Sequence, residues 1–290
     1  MLEKDIWVVW IPDVLFRSPF GNHLVFKGGT SLSKAFGIIR RFSEDIDVTF
    51  DMRALLPELS GEEAEPLPMN RSQEKRWTKE IRQRLRLKIG DEIAPVVRAA
   101  LESYQLATMA ELVHDDDKLF IRYEALATGT GCVRPEILLE FGARSTGEPC
   151  AIRFVTSDAA IYIPELTFPT ASPRTMQPER TFWEKATAMH AYCARGEFRG
   201  GNRFSRHWPD FTRLDASGFA DTAIAARELA GAVARHKASF FPEKDVDYMH
   251  AVSGGASAYP GWERAGESSL RLRTNTGLPI AACRRGDSVP

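Results

Sequence analysis

Asp45 and Asp47 stand two apart in Asp45-Ile46-Asp47-Val48-Thr49-Phe50, and residues two apart on a strand point to the same face. Two neighbouring carboxylates repel unless a cation lies between them. The pair therefore predicts a divalent metal site, with Ile46 and Val48 turned to the core. A second feature precedes it. Gly28-Gly29-Thr30-Ser31 falls where a strand should pass into a helix, and absent Cβ atoms there let backbone N–H groups approach an anion. No Gly-Lys-Ser/Thr follows this turn and the G-x-G-x-x-G spacing is missing, which excludes a Walker loop and a dinucleotide fingerprint. Glycine turn, short helix and acidic strand in that order can hold a nucleoside triphosphate with Mg²⁺ or Mn²⁺ for in-line attack at the α-phosphorus.

The elements that must position these groups are readable on either side. Residues 3–16 read as a helix with Ile6, Val9, Trp10 and Leu15 on one side, and residues 23–27 as the strand that delivers the glycine turn. The helix after the turn carries Leu32, Ala35 and Phe36 and ends near Gly37, and residues 57–68 read as a Pro, Gly and Glu-rich loop. From residue 71 to 89 the apolar residues Trp77, Ile81, Leu85 and Ile89 recur every four positions, a helical stripe, while eight Lys and Arg residues occupy the other faces. A second helix is expected over 93–109. Strands follow at 118–123 and 136–141, joined across Gly129-Thr130-Gly131, with another at 151–155. Beyond a proline-rich stretch the pattern turns helical, at 178–195, from 206 onward and at 221–238, around a glycine-rich loop at 196–201. The fold class expected is α+β (mixed α/β), a mixed sheet core over 1–168 with a helical lobe over 169–252 and an irregular tail over 253–290.

Composition narrows the function classes. The 290 residues are 43% hydrophobic and 27% charged, with 38 Lys plus Arg against 39 Asp plus Glu, so any nucleic-acid contact must be local rather than a property of the whole chain. The four cysteines show no C-x-x-C pairing, which argues against a disulfide framework or a four-thiolate zinc site and fits a reducing, cytoplasmic setting. The apolar stretch from Ile6 to Ile11 is too short and too closely flanked by acids for a signal peptide or a membrane span.

Phe26-Lys27-Gly28-Gly29-Thr30-Ser31-Leu32-Ser33-Lys34, followed by Arg41-Phe42-Ser43-Glu44-Asp45-Ile46-Asp47, resembles the AbiEii/AbiGii toxin family of nucleotidyltransferases in the DNA polymerase β-like superfamily. The resemblance implies that Lys27, Gly28, Gly29, Thr30, Ser31 and Ser43 line the phosphate site and that Asp45 and Asp47 hold metal. It also implies a third carboxylate on a neighbouring strand; Glu140 fits, and Glu136 shares its face. The family's K-x-x-A helix motif is matched by Lys185-Ala186-Thr187-Ala188, and its later aspartate motif by Arg206-His207-Trp208-Pro209-Asp210. Lys185 would then neutralise the leaving pyrophosphate, and Asp210 would orient Lys185 or the acceptor. Arg195 lies too loosely spaced to join this set. The resemblance covers about residues 3–250, and family members usually continue into a further ordered segment where residues 253–290 look irregular.

What it implies for function is a toxin of a type IV toxin-antitoxin system acting in abortive phage infection, paired with a cognate antitoxin that is a DNA-binding regulator. Its reaction would be Mg²⁺-dependent transfer of NMP from an NTP, with a tRNA 3′ end as one possible acceptor, reached through the basic helix 71–88. Two alternatives stay open: nucleotidylation of a protein or a small molecule such as an aminoglycoside, and a catalytically silent nucleotide-binding module. A zinc reading of His190, Cys193 and His207 is set aside for want of a fourth ligand. Trp77, Phe182 and Trp183 are read as packing residues before base-stacking ones.

Overall fold

The computed structural model describes residues 2–39, 45–61, 63–126, 134–194 and 207–253, together with short strands at 262–264 and 270–272. Ser43, Arg195, Arg206, the Gly129-Thr130-Gly131 turn, the glycine-rich loop at 196–201 and most of the expected tail lie outside the described residues. The chain divides into two compact units, Met1–Gln177 and Pro178–Pro290.

The first unit opens with α1 (Leu2–Phe16) and then β1 (Leu24–Lys27), α2 (Gly28–Lys34) and β2 (Asp45–Phe50). Short helices α3 (Met52–Leu55) and α4 (Pro57–Ser60) follow, then α5 (Arg71–Lys88) and α6 (Ala94–Ser103). The strands β3 (Ala110–Asp115), β4 (Lys118–Tyr123), β5 (Glu136–Gly142), β6 (Cys150–Ile152), β7 (Val155–Thr156), β8 (Thr170–Ala171) and β9 (Arg174–Met176) complete it, with α7 (Ala159–Tyr162) between β7 and β8. One seven-stranded mixed sheet, in the order β3-β4-β5-β2-β1-β9-β6, carries the site. β1 pairs antiparallel with β2, and β2 pairs parallel with β5. Ile46, Val48, Leu119, Ile121, Ile137 and Leu139 are all fully buried, which makes one face of the sheet the core and leaves the other for polar residues.

Several elements differ from the sequence reading. α1 is buried nearly all round, Lys4 and Asp5 included, while Ile6 is only half-buried, so no single apolar side exists. α5 begins where Asn70 accepts from the Gln73 N–H at 3.0 Å and Gln73 accepts from the Met69 N–H at 2.7 Å, a reciprocal cap that sets its start as expected. Its continuation is a π-helical stretch at Ile89–Ile93, after which α6 stops at Ser103, short of residue 109. β3 replaces the end of that expected helix. As an edge strand it has no fully buried residue and shows no strict alternation to read. The expected strand at 151–155 is two strands in two sheets, and the expected loop at 57–68 begins with the helical turn α4. β9 pairs parallel with β1 through Phe26 and Thr175, which makes residues 174–176 part of the sheet rather than the head of the helical lobe.

The second unit is helical. α8 (Pro178–Ala194) packs with helices at His207–Ala216, Phe219–Ala225 and Arg227–Phe240. Phe182 stacks on Phe211 with ring centroids 4.6 Å apart, and the Trp183 indole N–H donates to the Ala223 carbonyl at 2.8 Å, so both aromatic residues build the core of the lobe. The single helix expected over 221–238 is broken at Ala226, where ψ is 66°. Trp262–Arg264 and Leu270–Leu272 form a small antiparallel ladder within the stretch expected to be irregular.

Candidate active site

Register arranges the polar face of the first unit into rows, because residues paired across neighbouring strands share a face. One row runs Asp115, Lys118, Glu140, Asp47, Lys27 from β3 to β1. The next runs Val113, Phe120, Leu138, Asp45, and a third Glu111, Arg122, Glu136. Asp45 and Asp47 thus lie on one face, half-buried, above the fully buried Ile46 and Val48. Alternation in a strand that is half core and half site dictates this outcome.

The glycine turn meets the acidic strand directly. Gly28 has φ +76°, a conformation that favours glycine, and a Cβ built there would overlap the Asp47 carboxylate, 2.8 Å from its Cγ. Close approach and backbone shape therefore demand glycine for separate reasons. Gly29 and Lys27 beside it are half-buried. Thr30 and Ser31 each bond within the chain. Thr30 is buried and its hydroxyl donates to the Asp45 carbonyl at 2.5 Å, and Ser31 is buried with its hydroxyl donating to the Gly28 carbonyl at 2.9 Å. Their hydroxyls tie α2 to β2 and close the turn.

Lys34, at the end of the same motif, is buried against α1. Its ammonium lies against Asp5 and 2.8 Å from Asp158 Oδ2. Asp5 Oδ2 also accepts from the Ser157 hydroxyl and the Asp158 N–H, each at 2.6 Å. This cluster anchors α2, and with it the glycine turn. The sequence signal for it was only the charged run Glu3-Lys4-Asp5 at the start of a largely apolar helix.

The two candidates for a third carboxylate separate cleanly. Glu140 pairs in register with Asp47, whereas Glu136 lies beyond Asp45 in the row that carries Arg122 and binds that guanidinium at 2.8 Å. Glu140 Oε1 is itself 3.0 Å from the Lys118 ammonium. Among the described residues no three His, Cys, Asp or Glu side chains form a group that could hold a metal ion. Lys118 was missed in the sequence, although the alternation of Lys118-Leu119-Phe120-Ile121-Arg122 marks it for this face.

In the second unit, Lys185 is buried and its ammonium lies 3.0 Å from Asp210 Oδ2, itself buried. The residues four positions away from Lys185, Thr181 and Met189, are not acidic, and its counterion comes from the next helix instead. His190 also lies in α8; its Nε2 contacts the Asp247 carbonyl at 3.0 Å, and burial pushes its pKa below the ordinary histidine value.

A mixed sheet that presents aspartates at alternate positions of one strand, against a glycine turn on the next, has the architecture of a nucleotidyltransferase. The sequence matches, over residues 13–271, the family described as nucleotidyl transferase AbiEii toxin of type IV toxin-antitoxin systems, and the chain belongs to that family. Among solved structures it is similar to MenT4, a nucleotidyltransferase toxin from Mycobacterium tuberculosis, at 16% identity, with 87% of each chain covered and a TM-score of 0.36. Comparison with curated proteins returns no match.

Proposed function

We propose that this chain is a Mg²⁺- or Mn²⁺-dependent toxin that transfers a nucleoside monophosphate from an NTP to an acceptor hydroxyl, with the tRNA 3′ end as acceptor. The observation that carries the reading is the joint placement of Asp45, Asp47 and Gly28. Two hard carboxylate donors share a face, and the turn approaches one of them so closely that a Cβ at Gly28 would overlap the Asp47 carboxylate. These donors suit Mg²⁺. Asp45 and Asp47 would hold the metal, joined by Glu140 on leaving Lys118, and the ion would supply charge neutralisation at the α-phosphate and activation of the acceptor hydroxyl.

The chain's own groups do the rest. Backbone N–H groups at Gly28 and Gly29, with Lys27, bind the phosphates; Ser43 is assigned there by family resemblance alone. Lys185 and Asp210 are assigned by family resemblance alone, the lysine to take up charge as pyrophosphate leaves. The acceptor is held electrostatically by α5, whose Arg71, Lys75, Arg76, Lys79, Arg82 and Arg86 are exposed, while Arg84 is engaged by Glu58 and Glu80. Lys75, Lys79 and Arg82 line a shallow hollow there with Glu74 and Thr78, and half-buried Arg144, held below the usual arginine value by burial and by Arg82, adds charge nearby. Trp77 is buried on the opposite stripe, so stacking is no part of this contact. Family membership supports a cognate antitoxin, expected to be a DNA-binding regulator, and a role in abortive infection. No described helix is long and apolar enough to cross a membrane, and a cytoplasmic site of action suits an RNA target.

Incubation with each α-labelled NTP, Mg²⁺ and total cell RNA plus protein, comparing wild type with Asp47→Ala, tests the reading. Label in RNA that disappears in the variant supports it. Label in protein would favour the alternative acceptor, and NTP binding without any transfer would mark a silent module.

A further inference from the structure

The polar face holds one row that the chemistry above leaves unused. Val113, Phe120 and Leu138 pair in register across β3, β4 and β5, all half-buried, and the row ends at Asp45. It is an apolar lane on a face otherwise made of charges. The charges bordering it are matched within the face, Lys118 with Glu140 at 3.0 Å and Arg122 with Glu136 at 2.8 Å. Its apolar side chains suit a flat, uncharged ring better than a polyphosphate or a polycationic drug. Arg122 also sits over the Phe120 ring, 5.9 Å from its centroid, and so gives the lane a cationic rim of the kind that favours aromatic rings.

Direction decides which ring. Gly28 and Lys27 lie on the β1 side of the carboxylates, so the triphosphate and its leaving pyrophosphate belong to that side. In-line displacement sets the attacking and leaving oxygens on opposite sides of the phosphorus. The acceptor must then approach from the β5 and β4 side, along the lane. Phe120 is two strands from Asp45, about 10 Å at ordinary strand spacing, a span that one nucleoside covers from its hydroxyl to its base.

Resting on the nucleotidyltransferase reading above, we propose that Phe120 and Leu138 form a base subsite for the acceptor: its terminal nucleoside stacks on Phe120, bordered by Arg122, and so aims its hydroxyl at the metal-binding aspartates. Lys118 releases Glu140 at one border and Val113 closes the lane at the sheet edge. The subsite selects acceptors that end in a nucleoside over hydroxyls of proteins or sugars.

The test uses the full chain and a 5′-fluorescent single-stranded oligoribonucleotide with a free 3′ hydroxyl, paired with the same oligonucleotide lacking its terminal base. Anisotropy gives acceptor affinity, and calorimetry gives NTP affinity in parallel. Phe120→Ala is expected to weaken the intact oligonucleotide and raise its KM about 10- to 100-fold, with NTP affinity unchanged, while Phe120→Trp keeps binding near wild type and shows that the site remains folded. Removing the terminal base should cost wild type the same factor and cost Phe120→Ala nothing further. The proposal is overturned if wild type ignores the missing base, if Phe120→Ala binds the intact oligonucleotide as wild type does, or if the base penalty persists in the variant. Loss of NTP affinity in Phe120→Ala would also overturn it, since the ring would then serve the donor base. Failure of wild type to bind NTP at all would instead break the underlying nucleotidyltransferase reading.

Discussion

The sheet face of the first unit and the Lys185–Asp210 pair of the second solve the problem of keeping charge near protein in opposite ways. On the sheet, Asp45, Asp47, Glu140 and Lys118 are half-buried, and the opposite face of the same strands supplies the stability. In the helical lobe both partners are buried and in contact at 3.0 Å. Groups of the first kind can change partners, which a binding site requires. Groups of the second kind are fixed, and breaking the pair endangers the lobe before it touches any chemistry.

Substitutions should expose that difference. Asp47→Ala is expected to lower nucleotidyl transfer by about 1,000-fold or more while thermal melting barely moves, because a half-buried carboxylate beside another carboxylate contributes little to folding. A large drop in melting temperature would erase the contrast. Asp210→Ala should do the reverse, costing about 3 to 5 kcal/mol by leaving the Lys185 ammonium buried without its counterion, as read by denaturant unfolding. The double variant Lys185→Met, Asp210→Leu should regain most of that stability and none of the transfer activity.

Gly28→Ala joins the two behaviours at one position. A methyl group would strain a backbone at φ +76° and strike Asp47, so a cost of about 1 to 3 kcal/mol should accompany the loss of transfer. Glu140→Gln and Glu136→Gln sharpen the comparison within the sheet: the first should lower transfer about 10- to 100-fold and the second less than about 3-fold, since Glu136 is committed to Arg122. Equal effects would mean that register does not select the third carboxylate. The smallest effect concerns His190. Its pKa is lowered on folding, so the unfolded chain binds a proton that the native chain resists. Stability present above the ordinary value of 6.5 is therefore lost as pH falls below it, and melting followed from pH 7.5 to 5.5 should show a decline that His190→Gln diminishes.

Legibility in the sequence follows the same divide. β2 was readable because the core on one side and the site on the other force strict alternation, and α5 because its four-residue stripe is unbroken. β9 was hidden because three residues between Pro173 and Pro178 carry no period, although they pair with the strand that bears the glycine turn. The hydroxyl bonds of Thr30 to the Asp45 carbonyl and of Ser31 to the Gly28 carbonyl were not legible, because the letters of a sequence do not tell a buried hydroxyl from an exposed one. The partnership of Lys185 and Asp210 spans 25 residues and two helices, a separation across which no local pattern reaches. Spacing revealed which residues share a strand face; it did not reveal which strands are neighbours, and that knowledge was what put Glu140 in register with Asp47, Glu136 in register with Arg122, and Phe120 into line with Asp45.

The most direct trial of the central claim is a Mn²⁺ titration followed by electron paramagnetic resonance, with a non-hydrolysable NTP analogue present, on wild type and on the isosteric Asp45→Asn and Asp47→Asn variants. The account predicts that wild type takes up the ion in an analogue-dependent manner and that each variant loses most of this uptake while keeping its fold. Uptake in both variants equal to that of wild type would contradict it.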